Sequence, residues 1–163
     1  MSERVEVHPV HSLNRHALLV GSSGGHLTQL WALRPWWQQG PRTWVTFNTP
    51  DAMSLLARES TIWAHYPTTR NLPNLLRNAW LAWRTLRRLR PDIIVSTGAG
   101  VALPFFVFAR LMRIPTAYIE VYDRIDSATL TGRLCRPFTT VMCVQWQEQE
   151  SLYGNATLIG ELL

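Results

Sequence analysis

Short apolar segments alternate with helix-length amphipathic segments along most of the chain, and this alternation restricts the fold more than any other feature of the sequence. The apolar segments are four to six residues long and rich in branched and aromatic side chains, as buried strands are. They cover 16–20, 43–47, 61–66, 92–96, 116–120, 140–144 and 156–159. Strands that alternate with helices form right-handed βαβ units. We therefore predict an α/β fold with a Rossmann-like parallel sheet and helices on both faces.

The segments between the strands predict the helices and the domain organisation. Helical periodicity covers 26–39, 50–58, 72–89, 102–113 and 126–136. Residues 1–15 are predicted to be a polar tail, because they lack the apolar centre of a secretory signal. Residues 16–163 are predicted to form a single Rossmann-like domain.

Two features argue against a membrane span and against a metal centre. The uncharged run at 93–109 is interrupted by glycine and proline and is shorter than the ~20 residues of a typical span. Cys135 and Cys143 are too few for a metal knuckle or a disulfide framework. We therefore expect a reduced cytoplasmic protein with no metal and no cofactor.

Ligands of an open parallel sheet bind beyond the carboxyl ends of the strands, where the helices that follow offer free N–H groups. The first such loop is Gly21–His26, with the sequence GSSGGH. A dinucleotide-binding loop needs a second glycine where this chain has Ser23, and a nucleotide P-loop needs a lysine, which the chain lacks. Ser23, Gly24 and Gly25 are the candidate phosphate ligands, and His26 at the helix start is a phosphate donor or a proton acceptor. The alternative is that the glycines only allow tight packing and His26 caps the helix.

Two further loops follow the strands at 92–96 and 116–120. Thr97, Gly98 and Gly100 form a second glycine turn that exposes backbone amides to an anion or a polar ligand. Glu120 ends an apolar strand, where a carboxylate is costly unless it is paired or solvated. It is a candidate general base or sugar-hydroxyl acceptor. Arg124 is a candidate phosphate ligand or, alternatively, the partner of Glu120 in a salt bridge.

The predicted helix at 72–89 combines an apolar stripe with a basic face. All 16 basic residues of the chain are arginines, and the net charge is +5. The predicted core stripe is Leu72, Leu75, Leu76, Ala79, Ala82, Trp83, Leu86 and Leu89. The predicted membrane face is Arg77, Trp80, Leu81, Arg84, Arg87 and Arg88. Arginine beside exposed tryptophan and leucine is typical of surfaces that rest on anionic headgroups. A merely solvated basic face and a nucleic-acid surface are the alternatives, although no nucleic-acid-reading motif accompanies the charge.

Four motifs together resemble a known family. They are GSSGGHLTQL (21–30), STGAGVALPFF (96–106), YIEVYDRIDSATLTGRL (118–134) and VQWQEQ (144–149). The combination is similar to the acceptor-side, membrane-associated subunit of two-part GT-B glycosyltransferases. That family includes bacterial capsule and exopolysaccharide proteins and the N-acetylglucosaminyltransferase subunit of N-glycan assembly.

The resemblance implies a fold and a division of labour. The chain would be the N-terminal, acceptor-binding half of a GT-B enzyme, and a separate subunit would bring the UDP-sugar site. The acceptor would be a polyprenyl-diphosphate-linked saccharide at the inner face of the plasma membrane, where the protein would be cytoplasmic and peripheral. His26 or Glu120 would be the base of an inverting transfer; Glu120 is favoured as the base and His26 as the phosphate contact. The expected partners are thus the donor subunit, the lipid-linked saccharide and an anionic membrane surface, but not nucleic acid.

The sequence departs from the family pattern at three places. Val121 stands where relatives have a small polar residue, and Gln147 where they often have proline. Eukaryotic members carry an N-terminal membrane helix, and no such apolar segment occurs in this sequence. Attachment is therefore expected through the arginine face or through partners. A self-sufficient homo-oligomeric glycosyltransferase, a non-catalytic membrane scaffold and a nucleic-acid binder remain as alternative functions.

Overall fold

The computed structural model describes residues 15–163, in which seven strands form one parallel sheet. The strands are β1 (Ala17–Val20), β2 (Arg42–Phe47), β3 (Thr61–Ala64), β4 (Ile93–Ser96), β5 (Thr116–Ile119), β6 (Val141–Val144) and β7 (Thr157–Leu158). Their order across the sheet is β3-β2-β1-β4-β5-β6-β7, and all neighbours pair in parallel. This confirms the predicted fold class. The predicted polar tail lies outside the described residues, apart from Arg15.

Seven α-helices connect the strands of the described chain. They are α1 (Gly25–Ala32), α2 (Arg34–Trp37), α3 (Pro50–Leu55), α4 (Leu72–Leu89), α5 (Ala102–Met112), α6 (Leu130–Cys135) and α7 (Gln147–Tyr153), and a 3₁₀ turn (Arg136–Phe138) follows α6. The prediction of one helix over 26–39 was wrong, because Pro35 cannot continue the hydrogen-bond ladder of α1 and lies instead in the first turn of α2. The helix predicted from 126 begins at 130, where the Thr129 side chain accepts from Gly132 N–H. Helix α7 was not predicted.

The core lies on both faces of the sheet, as the fold requires. Successive residues of β1 point to opposite sides: Leu18 and Val20 join the cluster that includes α4 and α5, whereas Leu19 joins the cluster that includes α1, α2 and α3. All four residues of β1 are buried. A central strand that is apolar in every position is therefore explained by helices above and below it.

The strand order places the candidate loops at the switch point of the sheet. Strand β1 pairs with β2 on one side and β4 on the other, so the chain leaves β1 and β4 toward opposite edges. In sheets of this kind, ligands bind in the crevice between the loops that follow two such strands, which are here the loops after β1 and β4. In residues 15–163, no helix combines the length and the apolar composition that crossing a membrane requires.

Candidate active site

The glycine loop after β1 forms one wall of the crevice. Gly24 has a φ of 72°, a conformation that favours glycine, and its N–H donates to Asp51 Oδ2 over 3.0 Å. Gly24 and Gly25 are exposed, and a Cβ at either position would meet no described atom within 4 Å. Ser23 is half-buried. The start of α1 is therefore exposed to solvent, although the Asp51 carboxylate already accepts from the Gly24 amide.

His26 is fixed against the loop after β4 by two reciprocal hydrogen bonds. Its Nδ1 lies 2.8 Å from Thr97 O, and Thr97 Oγ1 donates to His26 O over 2.8 Å. A carbonyl oxygen can only accept, so Nδ1 carries the proton. Burial lowers the pKa of His26, against the smaller opposing effects of the Thr97 hydrogen bond and the Asp123 charge. The imidazole is therefore neutral at neutral pH, and its Nε2 is a proton acceptor rather than a donor to phosphate.

The loop after β4 is shaped to hold that imidazole. Gly98 has a φ of 116°, and a Cβ there would lie 2.7 Å from Tyr118 Oη and 3.2 Å from His26 Cε1. Thr97 is fully buried. Gly100 packs against Thr68, whose Cβ would lie 3.0 Å from a Cβ on the glycine. Thr97 and Gly98 thus contact His26 directly. The Thr97 side chain is already hydrogen-bonded, and the space beside the Gly98 Cα is filled by Tyr118 and His26.

Glu120 does not face the crevice. It is 0% exposed, and its oxygens accept from Val121 N–H at 3.0 Å, from the N–H and hydroxyl of Thr129, and from the hydroxyl of Tyr153. Burial raises the pKa of this carboxyl, although the hydrogen bonds oppose the effect. Arg124 is exposed, and the only salt bridge within 15–163 joins Arg42 to Glu59. The salt bridge between Glu120 and Arg124, which the sequence left as an alternative, is therefore not formed. The hydrogen bonds of Glu120 instead favour a role in holding the turn that begins at Val121.

A set of side chains after β6, which we call the clamp, fixes the turn that follows Glu120. The clamp consists of Gln145, Trp146 and Gln149. Gln145 Nε2 donates to Glu120 O at 2.9 Å and to Gln29 Oε1 at 2.6 Å. Trp146 Nε1 donates to Tyr122 O at 2.6 Å. The Gln149 amide donates to the carbonyls of residues 121 and 124, both at 2.9 Å, while its oxygen accepts from Gln145 N–H.

The sequence predicted no role for the individual residues of the VQWQEQ motif at 144–149. The available signal was the presence of three glutamine residues directly after a buried strand. Gln145 and Gln149 are at most 2% exposed, which is rare for this residue type. Such burial indicates that each amide is satisfied by a specific backbone partner.

Helix α4 buries part of the predicted stripe, since Ala82 and Leu86 are fully buried as predicted. Leu72 and Leu76 are each 64% exposed, so their assignment to the core was wrong. The inward positions are Asn74, Asn78, Ala82, Thr85 and Leu86. The reason is that Asn74 donates to Pro67 O and Asn78 pairs with both backbone groups of His65. These two asparagines hold the loop after β3, which turns the leucines outward.

The predicted membrane face is largely exposed. Trp80 is 62% exposed, and the four arginines of the prediction are also exposed. Leu81 is the exception, since it is half-buried and packs against the core. We call the exposed set the outer face of α4. It consists of Leu72, Leu76, Arg77, Trp80, Arg84, Arg87 and Arg88.

The chain is similar to proteins of known families in sequence. The family model described as "Oligosaccharide biosynthesis protein Alg14 like" matches residues 52–162. The human UDP-N-acetylglucosamine transferase subunit ALG14 is 22% identical, with 98% of this chain and 87% of the relative covered. The UDP-N-acetylglucosamine--N-acetylmuramyl-(pentapeptide) pyrophosphoryl-undecaprenol N-acetylglucosamine transferase of Syntrophotalea carbinolica is 32% identical, with 55% of this chain but 24% of the relative covered.

Solved structures show the same fold. The crystal structure of Acinetobacter baumannii MurG superposes with a TM-score of 0.73 at 19% identity, covering 90% of this chain and 45% of MurG. The UDP complex of S. aureus MnaA also superposes with a TM-score of 0.73, at 10% identity, covering 91% of this chain and 45% of that one. The chain thus spans less than half the length of these proteins. The likeness confirms the predicted architecture of the N-terminal half of a GT-B glycosyltransferase.

Proposed function

The chain belongs to the Alg14-like family of oligosaccharide biosynthesis proteins, and we propose that it is the acceptor-binding subunit of a UDP-sugar-dependent glycosyltransferase. The observation that carries this proposal is the position of His26. It is a neutral histidine, hydrogen-bonded through Nδ1 and placed at the switch-point crevice of one GT-B half. A second subunit would supply the UDP-sugar site. In support, a relative whose name states that it is a subunit matches 98% of the chain.

We propose a polyprenyl-diphosphate-linked saccharide as the acceptor. The bacterial relative acts on a pyrophosphoryl-undecaprenol substrate, as its name states. We propose capsule or exopolysaccharide biosynthesis as the context of this chain. The exposed glycines Gly24 and Gly25, the nearby Ser23 and the exposed Arg124 would meet the diphosphate, and the Gly24 amide would exchange its hydrogen bond to Asp51 for one to the ligand. Gly100 would shape the opposite wall of the same crevice through its contact with Thr68.

His26 is the proposed general base. Its Nε2 accepts the proton of the acceptor hydroxyl while the hydroxyl oxygen attacks the anomeric carbon of the donor sugar. The bond from that carbon to the UDP oxygen breaks, and its electron pair leaves with UDP, so the configuration inverts. Thr97 O holds the required tautomer through Nδ1. The sequence favoured Glu120 as the general base, whereas we propose His26 for that role. The Glu120 carboxylate, which accepts hydrogen bonds from Val121 and Thr129, would hold the neighbouring turn.

The outer face of α4 is the proposed membrane contact, at the cytoplasmic side. Leu72, Leu76 and Trp80 lie one turn apart on one stripe, with arginines beside them. An exposed apolar stripe flanked by cations fits a surface of anionic lipid, where each basic residue contributes about 1 kcal/mol.

The test is a transfer assay on the complex. The tagged chain is purified from its native host together with whatever binds it. The complex is then assayed with radiolabelled UDP-N-acetylglucosamine and a polyprenyl-diphosphate-linked sugar. We expect transfer by the complex and a loss of about 10²–10⁴-fold in kcat for His26→Gln.

His65→Gln is the matched control, since His65 is exposed and its side chain has no proposed role; it should retain full activity. Two results would contradict the proposal. One is full transfer by the isolated chain, which would show that no donor subunit is needed. The other is undiminished transfer by His26→Gln, which would leave the chain a scaffold.

A further inference from the structure

The loop after β3, residues 65–70, is held in place by two buried side chains of α4. Asn78 accepts from His65 N–H over 2.9 Å and donates to His65 O over 2.8 Å. Asn74 donates to Pro67 O over 2.9 Å. Both asparagines are at most 7% exposed, at inward positions where leucine would bury more apolar area. Buried amides with specific backbone partners specify one conformation, so α4 gives up apolar burial to fix this loop.

Tyr66 lies between the two anchored residues of the loop, with its ring packed but half exposed. The ring centroid is 5.3 Å from that of Phe47, the buried last residue of β2. Tyr66 is nonetheless 52% exposed. The fixed backbone and the contact with Phe47 position the ring before any ligand arrives, and its exposed part offers an apolar surface to solvent.

The loop that carries Tyr66 lies beside the crevice that contains His26. Strands β1, β2 and β3 are parallel neighbours, so the loops that follow them share one edge of the sheet, and the ends of β1 and β3 are about 10 Å apart. A Cβ on Gly100 would lie 3.0 Å from Thr68 Cβ, and a Cβ on Gly98 would lie 3.2 Å from His26 Cε1. The loop after β4 therefore contacts both the imidazole and the loop that carries Tyr66.

We propose that Tyr66 binds the acceptor, and that a pyranose ring of the saccharide stacks on its aromatic ring. The inference rests on the proposed function, in which the acceptor hydroxyl lies at His26 Nε2. A pyranose presents a face of C–H groups, which an aromatic face attracts through dispersion and through its negative quadrupole. The sugar hydroxyls point outward from that face and stay hydrated. Tyr66 takes no part in the transfer of the proton; it holds the acceptor while His26 accepts that proton.

The direction of the ring separates Tyr66 from the proposed membrane contact. The ring packs toward the sheet, against the end of β2. The outer face of α4 points away from the sheet, since the inward positions of that helix include Asn74 and Asn78. In the proposed function, the donor nucleotide belongs to the second subunit. The acceptor saccharide is therefore the part of the substrates that reaches Tyr66.

The first measurement needs only the full chain. The probe is N-acetylglucosamine joined through a diphosphate to a short, water-soluble prenyl chain, and its binding is followed by saturation-transfer NMR with irradiation of the protein's aromatic protons. The pyranose protons should be saturated with the wild type and with Tyr66→Phe, which keeps the ring. Tyr66→Ala should bind roughly tenfold more weakly and lose that saturation.

The matched control is Trp63→Ala, which removes another exposed aromatic ring from the same region. The neighbouring Ile62 and Ala64 pack on the α4 side of the sheet, so Trp63 points to the opposite side, and its loss should leave probe binding unchanged. The proposal is wrong if the wild-type pyranose protons are not saturated, or if Tyr66→Ala binds the probe as well as Trp63→Ala does.

The second measurement is the KM of the complex for each substrate. Tyr66→Ala should raise the acceptor KM roughly tenfold and leave kcat and the KM for the UDP-sugar in place, as expected for a loss of uniform binding. Loss of the co-purified subunit would assign the ring to the subunit interface, and weaker flotation with acceptor-free liposomes would assign it to the membrane; either result would overturn the proposal. If the wild-type complex transfers no sugar, the proposed function fails, and the NMR experiment still decides whether Tyr66 binds the saccharide.

Discussion

The switch-point crevice and the outer face of α4 are built in opposite ways. In the crevice and in the buried network around Glu120, the polar groups are hydrogen-bonded to other parts of the protein: His26 to Thr97, Glu120 to Thr129, and the clamp to the turn at 121–124. On α4, the side chains of the outer face are exposed and lie beside one another without a shared network.

This difference determines how each region should respond to substitution. Groups in one buried network depend on each other, so the loss of one leaves its partners unsatisfied at a cost of ~1–3 kcal/mol each. Exposed groups that act through surface charge and area contribute small, nearly independent amounts. We therefore expect single changes to damage the crevice strongly and the α4 face weakly.

The largest effect is expected for Gly132→Ala at the base of the crevice. A Cβ on Gly132 would overlap the Tyr153 hydroxyl and lie 2.7 Å from Glu120 Oε2. The methyl group must displace the network around Glu120, so the free energy of unfolding should fall by about 3 kcal/mol, as measured by urea denaturation. Gly25→Ala is the control, because its added methyl meets no described atom within 4 Å and should change stability by less than ~1 kcal/mol. Equal effects of the two changes would show that the network is not tightly packed.

The second-largest effect on stability is expected on α4, where a buried and an exposed position can be compared. Asn78→Leu removes the amide that binds both backbone groups of His65, and two unpaired backbone groups should cost about 2 kcal/mol of unfolding free energy. The reverse exchange, Leu76→Asn, changes an exposed position and should alter stability by at most ~0.5 kcal/mol. A larger loss of unfolding free energy for Leu76→Asn would indicate that Leu76 belongs to the core, and the two faces of α4 would then not differ as proposed.

A third effect depends on pH. Burial raises the pKa of Glu120 above its ordinary value of 4.5, so the folded protein holds this proton more tightly than the unfolded one. The stability that this gives is complete below pH 4.5 and is lost as the pH rises through the folded pKa, at about 1.4 kcal/mol per pH unit between the two pKa values. Glu120→Gln should remove that slope from urea-denaturation data. If the variant keeps the wild-type slope, Glu120 is not its source.

The strands of the sheet and the loops that follow β1 and β4 could be predicted because they depend on local pattern. All seven strands were found, and the loops after β1 and β4 were identified from the glycines at 24, 25, 98 and 100. These features need only the alternation of apolar runs with helices and the conformational freedom of glycine.

The environment of each site residue could not be predicted, because it depends on contacts between residues distant in sequence. The Glu120 carboxylate is enclosed by Tyr153, 33 residues away, and the carbonyl of residue 120 by Gln145. The predicted apolar stripe of α4 was partly wrong for the same reason. The buried Asn74 and Asn78 donate to backbone carbonyls of the loop after β3, and they occupy inner positions that the pattern assigned to leucines. Hydrophobic periodicity does not register such pairs.

The smallest effects are expected on the outer face of α4, and they test whether it behaves additively. Each of Arg77→Gln, Arg84→Gln and Arg88→Gln should weaken binding to anionic liposomes by about 1 kcal/mol, measured by flotation, and the triple variant by about the sum. The matched control replaces three exposed arginines away from α4, Arg34, Arg58 and Arg133, with the same loss of charge. If both triple variants bind equally weakly, net charge alone attracts the protein; if neither is weakened, the face does not contact lipid. A loss far beyond the sum would mean that these arginines share one bound group, and the contrast with the crevice would then disappear.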